Sequence, residues 1–172
     1  ITSFEKYLDA LRQRREYFIA NGARATDHGH LSANTQPLEA SEAERILAAG
    51  RRGEATAEES EAFAATMLFE FARMSCEDGL TMQLHPGVLR DHDPATFALR
   101  GPDVGFDIPT ATEYTRALRP LLSEFGTNEN FTFIVFTVDE TVFSRELAPL
   151  AGVYPAMKLG APWWFLDTPG AM

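Results

Sequence analysis

Histidines stand where apolar segments of this chain end, and imidazole is the side chain best suited to proton transfer near neutral pH. His28 and His30 flank Gly29, and His85 follows the apolar run Leu80–Leu84. Two histidines that are two residues apart on a strand face the same side and could bind one metal ion such as zinc. The intervening glycine instead indicates that the strand has already ended. His85 is placed as an acid, a base or a ligand, with a hydrogen-bonded core histidine as the alternative.

A charged loop and a tryptophan pair add groups that could bind a substrate. The guanidinium of Arg90 suits bidentate capture of a carboxylate, and a surface ion pair is the alternative. Asp103 and Asp107 either hydrogen-bond sugar hydroxyls or cap turns, and we expect the turn role for one of them. Trp163 and Trp164 could stack on a sugar face, although one member of such a pair is usually in the core.

Helix-capping signals predict the elements that position these groups. In four places a Ser or Thr precedes a Glu by three residues, a pairing that satisfies two backbone amides at a helix start, and each following stretch ends at a glycine. The four pairs are Thr2/Glu5, Ser41/Glu44, Thr56/Glu59 and Thr110/Glu113. They predict helices over residues 3–21, 42–49, 57–78 and 111–125.

Apolar segments between these helices predict strands. The run Phe131–Phe136 is β-branched and aromatic, as expected for a strand that is buried on both faces. The other predicted strands are Ala23–Thr26, Leu80–Leu84 and Ala156–Leu159. Helices that alternate with strands indicate βα units and a parallel sheet, whose active sites lie at the carboxyl ends of the strands. The candidate residues above follow such ends.

Length, charge and cysteine content exclude several classes of protein. The 172 residues suffice for one domain, and their net charge of −10 argues against nucleic acid and anionic membranes as partners. The apolar runs are shorter than the roughly 20 residues that a membrane span needs. A single cysteine, Cys76, excludes an internal disulfide and suits a reducing compartment, so we expect a cytoplasmic location. Cys76 itself is expected to be a packing residue.

Four segments carry motifs in a fixed order. They are the helix, glycine and Asp-His strand over residues 18–29, the Gln-x-His-x-Gly-x-x-Arg spacing in Met82–Arg90, the Gly-Pro-Asp-Val-Gly-Phe-Asp loop in Leu99–Asp107, and the Trp-Trp-Phe stretch in Lys158–Asp167. Together they resemble the uronate isomerase (glucuronate isomerase) family of the amidohydrolase superfamily. The resemblance spans essentially the whole chain, and the second and third motifs are too specific to be matched by chance.

The resemblance implies an α/β fold, the (β/α)₈ barrel. A closed barrel usually needs about 250 residues. Residues 1–172 are therefore expected to be a fragment that forms about half of the barrel, its strands four to seven. A helical insertion is expected around residues 37–78 and an active-site loop around residues 85–109.

The resemblance also implies an activity, the interconversion of D-glucuronate with D-fructuronate and of D-galacturonate with D-tagaturonate in bacterial hexuronate catabolism. This aldose–ketose isomerisation passes through a cis-enediol. The family commonly binds one divalent metal, often zinc, whose main ligands would lie outside this chain. We expect a uronate as the small-molecule partner, a homo-oligomeric enzyme and an inactive isolated fragment. The site residues implied are His28 and His85 as catalytic groups or metal ligands, and Arg90 with Trp163 or Trp164 as substrate-binding groups. Asp107 joins the substrate-binding candidates on its residue type and position in the loop.

This sequence departs from the family pattern in three places. The His28–His30 pair aligns with the fourth barrel strand, whereas the metal-binding His-x-His of the family belongs to the first. Asp91, His92 and Asp93 stand where the family usually has asparagines. The Asp-Ser-Arg of the eighth strand would follow Met172. Two alternatives therefore stay open: a non-catalytic module that binds acidic sugars through Arg90 and a tryptophan, and another metal-dependent hydrolase of the same superfamily.

Overall fold

The fold is built on a parallel sheet with helical crossovers, seen in a computed structural model that describes residues 2–161. Its strands are β1 (Ala25–His30), β2 (Thr81–Pro86), β3 (Val88–Leu89), β4 (Ile108–Pro109), β5 (Phe133–Val135) and β6 (Met157–Leu159). Its α-helices are α1 (Phe4–Ala20), α2 (Ala40–Arg52), α3 (Ala57–Asp78), α4 (Pro94–Arg100), α5 (Arg119–Phe125), α6 (Glu140–Val142) and α7 (Ala148–Val153). A π-helical turn, Phe143–Leu147, joins α6 to α7. No helix in this part of the chain is both long and apolar enough to cross a membrane.

The main sheet has the order β1-β2-β5-β6, and every neighbouring pair in it is parallel. Each strand thus lies beside the next one along the chain, which is the arrangement that β/α barrels repeat. The expected α/β class and the four predicted strands are confirmed. The short strands β3 and β4 form a separate antiparallel pair within the loop that follows β2.

Strand β1 is longer than the sequence suggested, because Gly29 lies inside it rather than after its end. The strand continues to His30, and Gly29 is paired with His85 of β2. The inference that the strand ends before this glycine is therefore wrong. A glycine lacks the side chain that usually marks a strand, but it still contributes both backbone groups to the ladder.

The core lies between one face of the sheet and the helices. Met82, Leu84, Phe133 and Val135 alternate along β2 and β5 and pack in one buried cluster with residues of α3 and α5. The side chains between them in sequence, among them that of His85, lie on the other face and are less buried. Period-two alternation thus separates a packing face from an open face of the same sheet.

Helix α3 confirms its prediction to the residue. The Thr56 hydroxyl accepts from the Glu59 amide at 3.1 Å, and the Glu59 carboxylate accepts from the Thr56 amide at 2.8 Å. The helix ends at Gly79, whose φ of 75° is left-handed. Helix α1 also matches its prediction, although Ser3 rather than Thr2 caps it.

The other two capping predictions are wrong because side chains of each pair bond to other partners. Helix α2 begins after Glu39, runs through Gly50 and ends at the left-handed Gly53. The carboxylate of Glu44 accepts from the backbone amide of Phe4 at the start of α1. Local spacing does not show such a partner, which lies 40 residues away.

The predicted helix over residues 111–125 begins only at Arg119. The hydroxyl of Thr110 donates to the carbonyl of Gly87 at 3.1 Å, and this contact ties residue 110 to the loop after β2. Glu113 caps a turn instead, since its carboxylate accepts from the amides of Arg116 and Ala117.

These caps give a paired stability test. Thr56→Ala should lower the free energy of unfolding by about 1 kcal/mol, because it removes a working cap from α3. Ser41→Ala is the matched control, since Ser41 is equally exposed but lies inside α2, and it should change stability by less than about 0.5 kcal/mol. Urea unfolding followed by circular dichroism measures both. Equal losses in the two variants would contradict the assignment.

Candidate active site

Side chains from three strands meet in one row on the open face of the sheet. Asp27 comes from β1, His85 from β2, and Phe136 directly follows β5. Asp27 is paired in register with Gln83, two residues before His85 and therefore on the same face. The row lies at the carboxyl ends of parallel strands, where α/β sheets place their active sites.

A hydrogen bond joins the first two members of the row. Oδ1 of Asp27 lies 2.5 Å from Nδ1 of His85, and the His85 side chain is only 14% exposed. A carboxylate only accepts hydrogen bonds, so this contact fixes a proton on Nδ1. In the neutral ring Nε2 then carries a lone pair. An imidazole oriented in this way by a carboxylate can accept a proton through Nε2 and return it.

The third member of the row covers one face of the imidazole. The rings of His85 and Phe136 are stacked, with centroids 4.0 Å apart and planes inclined by 16°. The contact with Asp27 fixes the direction in which Nδ1 points, and the stack on Phe136 fixes the plane of the imidazole ring. Together they hold His85 in a single orientation.

Arg90 is oriented by aspartates of the loop that follows β2. Its Nη1 lies 3.2 Å from Oδ2 of Asp107 and 3.6 Å from Oδ1 of Asp103. The other oxygen of the buried Asp107 carboxylate accepts from the amide of Asp91 at 2.9 Å. The Asp107 carboxylate therefore bonds to the loop backbone through one oxygen and to the guanidinium of Arg90 through the other.

His85 and Arg90 meet at a small cleft of about 140 Å³. The residues that line it are Gly29, His30, Leu31, His85, Val88 and Arg90. Burial lowers the pKa of His30 below its ordinary value. Sites for small molecules usually measure roughly 300–1,000 Å³. The cleft is therefore smaller than a typical small-molecule site, and both His85 and Arg90 line it.

His28 lies on the opposite face of the sheet from His85. Its ring is 4.6 Å from that of Phe71 in α3, and its Nε2 lies 3.0 Å from the hydroxyl of Thr26. Burial, with smaller contributions from His30 and Arg15, lowers its pKa to about 4. The structure does not bring the two predicted catalytic histidines together. Asp27, the residue before His28, is hydrogen-bonded to His85.

The described residues do not make up a metal site by themselves. Within residues 2–161 no group of three or more His, Cys, Asp or Glu side chains is arranged to hold a metal ion. Zinc sites use at least three protein ligands. The His28–His30 pair alone is therefore too few ligands for a zinc site within this part of the chain, and we derive no step that passes through a metal. The two tryptophans expected to bind substrate, Trp163 and Trp164, lie outside the described residues.

Comparison with protein families decides the assignment of the chain. The family model for glucuronate isomerase matches residues 1–172, which is the whole sequence. This chain belongs to the glucuronate isomerase family. The resemblance inferred from its four motifs is thereby confirmed.

Individual relatives agree with the family assignment. A uronate isomerase of Corynebacterium efficiens is 54% identical over 169 residues, and the match covers 98% of this chain and 36% of that protein. The crystal structure of glucuronate isomerase from Caulobacter crescentus superposes with a TM-score of 0.95 at 49% identity, covering 99% of this chain and 36% of its own. A uronate isomerase from Thermotoga maritima gives a TM-score of 0.91 at 30% identity, with coverage of 99% and 38%. The chain therefore spans about a third of the length of these family members.

The largely buried ring of His28 predicts how the stability of the chain depends on pH. Its pKa of about 4 in the folded chain lies below the ordinary value near 6.5, so the unfolded chain takes up the proton first as the pH falls. Through His28, the free energy of unfolding should therefore fall by roughly 2–4 kcal/mol as the pH falls from 6.5 to 4. Below pH 4 this histidine should cause no further loss. Urea unfolding across this range measures it.

A pair of variants isolates this contribution. His28→Gln should flatten the loss of stability between pH 6.5 and 4. His92→Gln, at an exposed histidine of the loop, should leave the loss unchanged. The assignment of His28 to the packed face would be refuted if both variants kept the full pH dependence.

Proposed function

We propose that this chain contributes a wall of the active site of a uronate isomerase that interconverts D-glucuronate with D-fructuronate and D-galacturonate with D-tagaturonate. The observation that carries the proposal is the Asp27–His85 hydrogen bond beside Arg90 at the carboxyl edge of the sheet. The names of the Corynebacterium and Caulobacter relatives support the same reaction.

The reaction moves one hydrogen from C2 to C1 of the sugar through a cis-enediol. The C1 carbonyl becomes a hydroxyl and the C2 hydroxyl becomes a carbonyl, so protons must also leave and reach the two substrate oxygens. His85 is suited to that exchange, because Asp27 holds the Nδ1 proton and Nε2 can accept and return another. We assign to His85 the proton exchange at a substrate oxygen.

Arg90 is suited to bind the carboxylate that distinguishes a uronate from a neutral sugar. A guanidinium offers donors in a planar fork that matches a carboxylate. Asp103 and Asp107 set its orientation at the edge of the cleft that His85 lines. Stacking of a sugar face on Trp163 or Trp164 stays a prediction.

The activity belongs to a protein longer than this segment, because the chain spans about a third of its relatives. The zinc expected from the family would need ligands outside residues 2–161, and no step proposed above depends on it. A homo-oligomeric assembly and a cytoplasmic location remain predictions.

The first test is the kinetics of the full-length enzyme that we propose. His85→Asn should lower kcat for glucuronate by about 100-fold or more, since a positioned acid–base group contributes that much. Arg90→Lys should raise KM about tenfold with a smaller change in kcat, because it weakens binding of substrate and transition state alike. Coupled reduction of the fructuronate product measures both parameters.

The exposed His92→Gln variant is the control for this test and should stay within twofold of the wild type. A His85→Asn enzyme with kcat within threefold of the wild type would contradict the role of His85. Saturable glucuronate binding without turnover would favour the non-catalytic module, and turnover of a different substrate in a screen would favour the hydrolase.

The second test concerns the segment alone. Residues 1–172 should show no isomerisation of glucuronate, because the cleft that His85 and Arg90 line is smaller than a typical small-molecule site and the segment spans about a third of its relatives. The same coupled assay detects any turnover. Activity of the isolated segment, confirmed by its loss in His85→Asn, would show that the described residues suffice for catalysis.

A further inference from the structure

Phe136 is held by contacts to both its backbone and its ring. Its backbone amide donates to the carbonyl of Leu84 at 3.0 Å. Its carbonyl accepts from the hydroxyl of Tyr114 at 3.2 Å, and Tyr114 is fully buried. These two hydrogen bonds fix the backbone position of residue 136, and the stack on His85 fixes the position of its ring.

Gly160, just after β6, sets the space on the far side of the Phe136 ring. A Cβ at this glycine would lie 2.3, 2.5 and 2.6 Å from three atoms of the ring, distances that real Cβ atoms do not show. The Gly160 amide donates to the carbonyl of Val135 at 2.9 Å, so the backbone of residue 160 is held against β5. Any side chain at position 160 would therefore displace the ring that stacks on His85.

These contacts form one row across four strands. Gly160 abuts the Phe136 ring, that ring stacks on His85, and His85 is bonded to Asp27. A group that must exchange a proton with a substrate works only over a narrow range of positions, and a misplacement near 1 Å costs roughly 100-fold in rate. The packing of the row therefore bears directly on the position of Nε2.

We propose that Phe136 is a positioning residue for His85, and that position 160 must be glycine because this sets the depth of the stack. The proposal rests on the proposed function for its kinetic consequence. Phe136 does not itself take part in the chemistry. It acts through the orientation of the imidazole.

Kinetics of the full-length enzyme test the proposal through four variants. Phe136→Leu should lower kcat about 10- to 100-fold with KM within threefold, and Phe136→Tyr, which keeps the ring, should retain most of the rate.

Phe133→Leu is the matched control, because it removes a ring from the helix-facing side of the same strand. It should lower the melting temperature but leave kcat within threefold. Gly160→Ala should lower kcat like Phe136→Leu.

Two double variants separate positioning from general loss of structure. Adding Phe136→Leu to His85→Asn should change the remaining rate less than twofold, because the ring acts through the histidine. Gly160→Ala with Phe136→Leu should be no slower than Phe136→Leu alone, because the alanine then has no ring to displace. Full additivity in both pairs would overturn the proposal.

A readout independent of turnover distinguishes failure of this proposal from failure of the proposed function. The ring protons of His85 should be shifted upfield in the proton NMR spectrum by the face of Phe136, and the shift should vanish in Phe136→Leu. A wild-type protein that shows the shift but no isomerisation would reject the function and keep the stack. Unchanged His85 signals in Phe136→Leu would reject the stack itself.

Discussion

The register between β1 and β2 is the constraint on which the rest of the site depends. It pairs Gly29 with His85 and thereby brings the carboxylate of Asp27 to Nδ1 of that histidine. A slip of one residue would turn Asp27 to the packed face and His28 to the open one. The contact between Asp27 and His85 therefore depends first on the backbone pairing of the two strands.

The helical layer holds that register in place. His28 packs on Phe71, and Met82 and Leu84 are buried in the main core, so the packed faces of β1 and β2 cannot turn outward without exposing apolar surface. Close to the start of β2, the buried Arg15 of α1 makes two bonds to Asp78 at the end of α3. The open face is left to carry the polar groups, and the loop after β2 adds Arg90.

Features fixed by local sequence could be predicted, and those fixed by distant partners could not. The ends of α3 follow from Thr56, Glu59 and Gly79, whose contacts all lie within the helix and its caps. Glu44 has the same local spacing as Glu59, but it bonds to α1, and no sequence signal marks that partner. His85 was found because it directly follows an apolar run, and Arg90 because it lies in the same charged loop.

The contact between Asp27 and His85 was not predicted, because the strand β1 was expected to end before Gly29. Strand alternation alone would have placed Asp27 and His28 on opposite faces once the strand was extended to His30. The stacking of Phe136 on His85, and the space that Gly160 leaves for it, depend on the pairing of β5 with β2 and β6. Those pairings join residues far apart in the chain, so their geometry appears only in the folded sheet.

Asp27 fixes which ring nitrogen of His85 carries the proton. Nitrogen-15 NMR of the histidine ring, through its two-bond correlations to the ring protons, measures which nitrogen carries the proton. We expect a proton on Nδ1 in the wild type and loss of that preference in Asp27→Ala. A neutral His85 protonated at Nε2 in the wild type, or a pattern unchanged by Asp27→Ala, would contradict it.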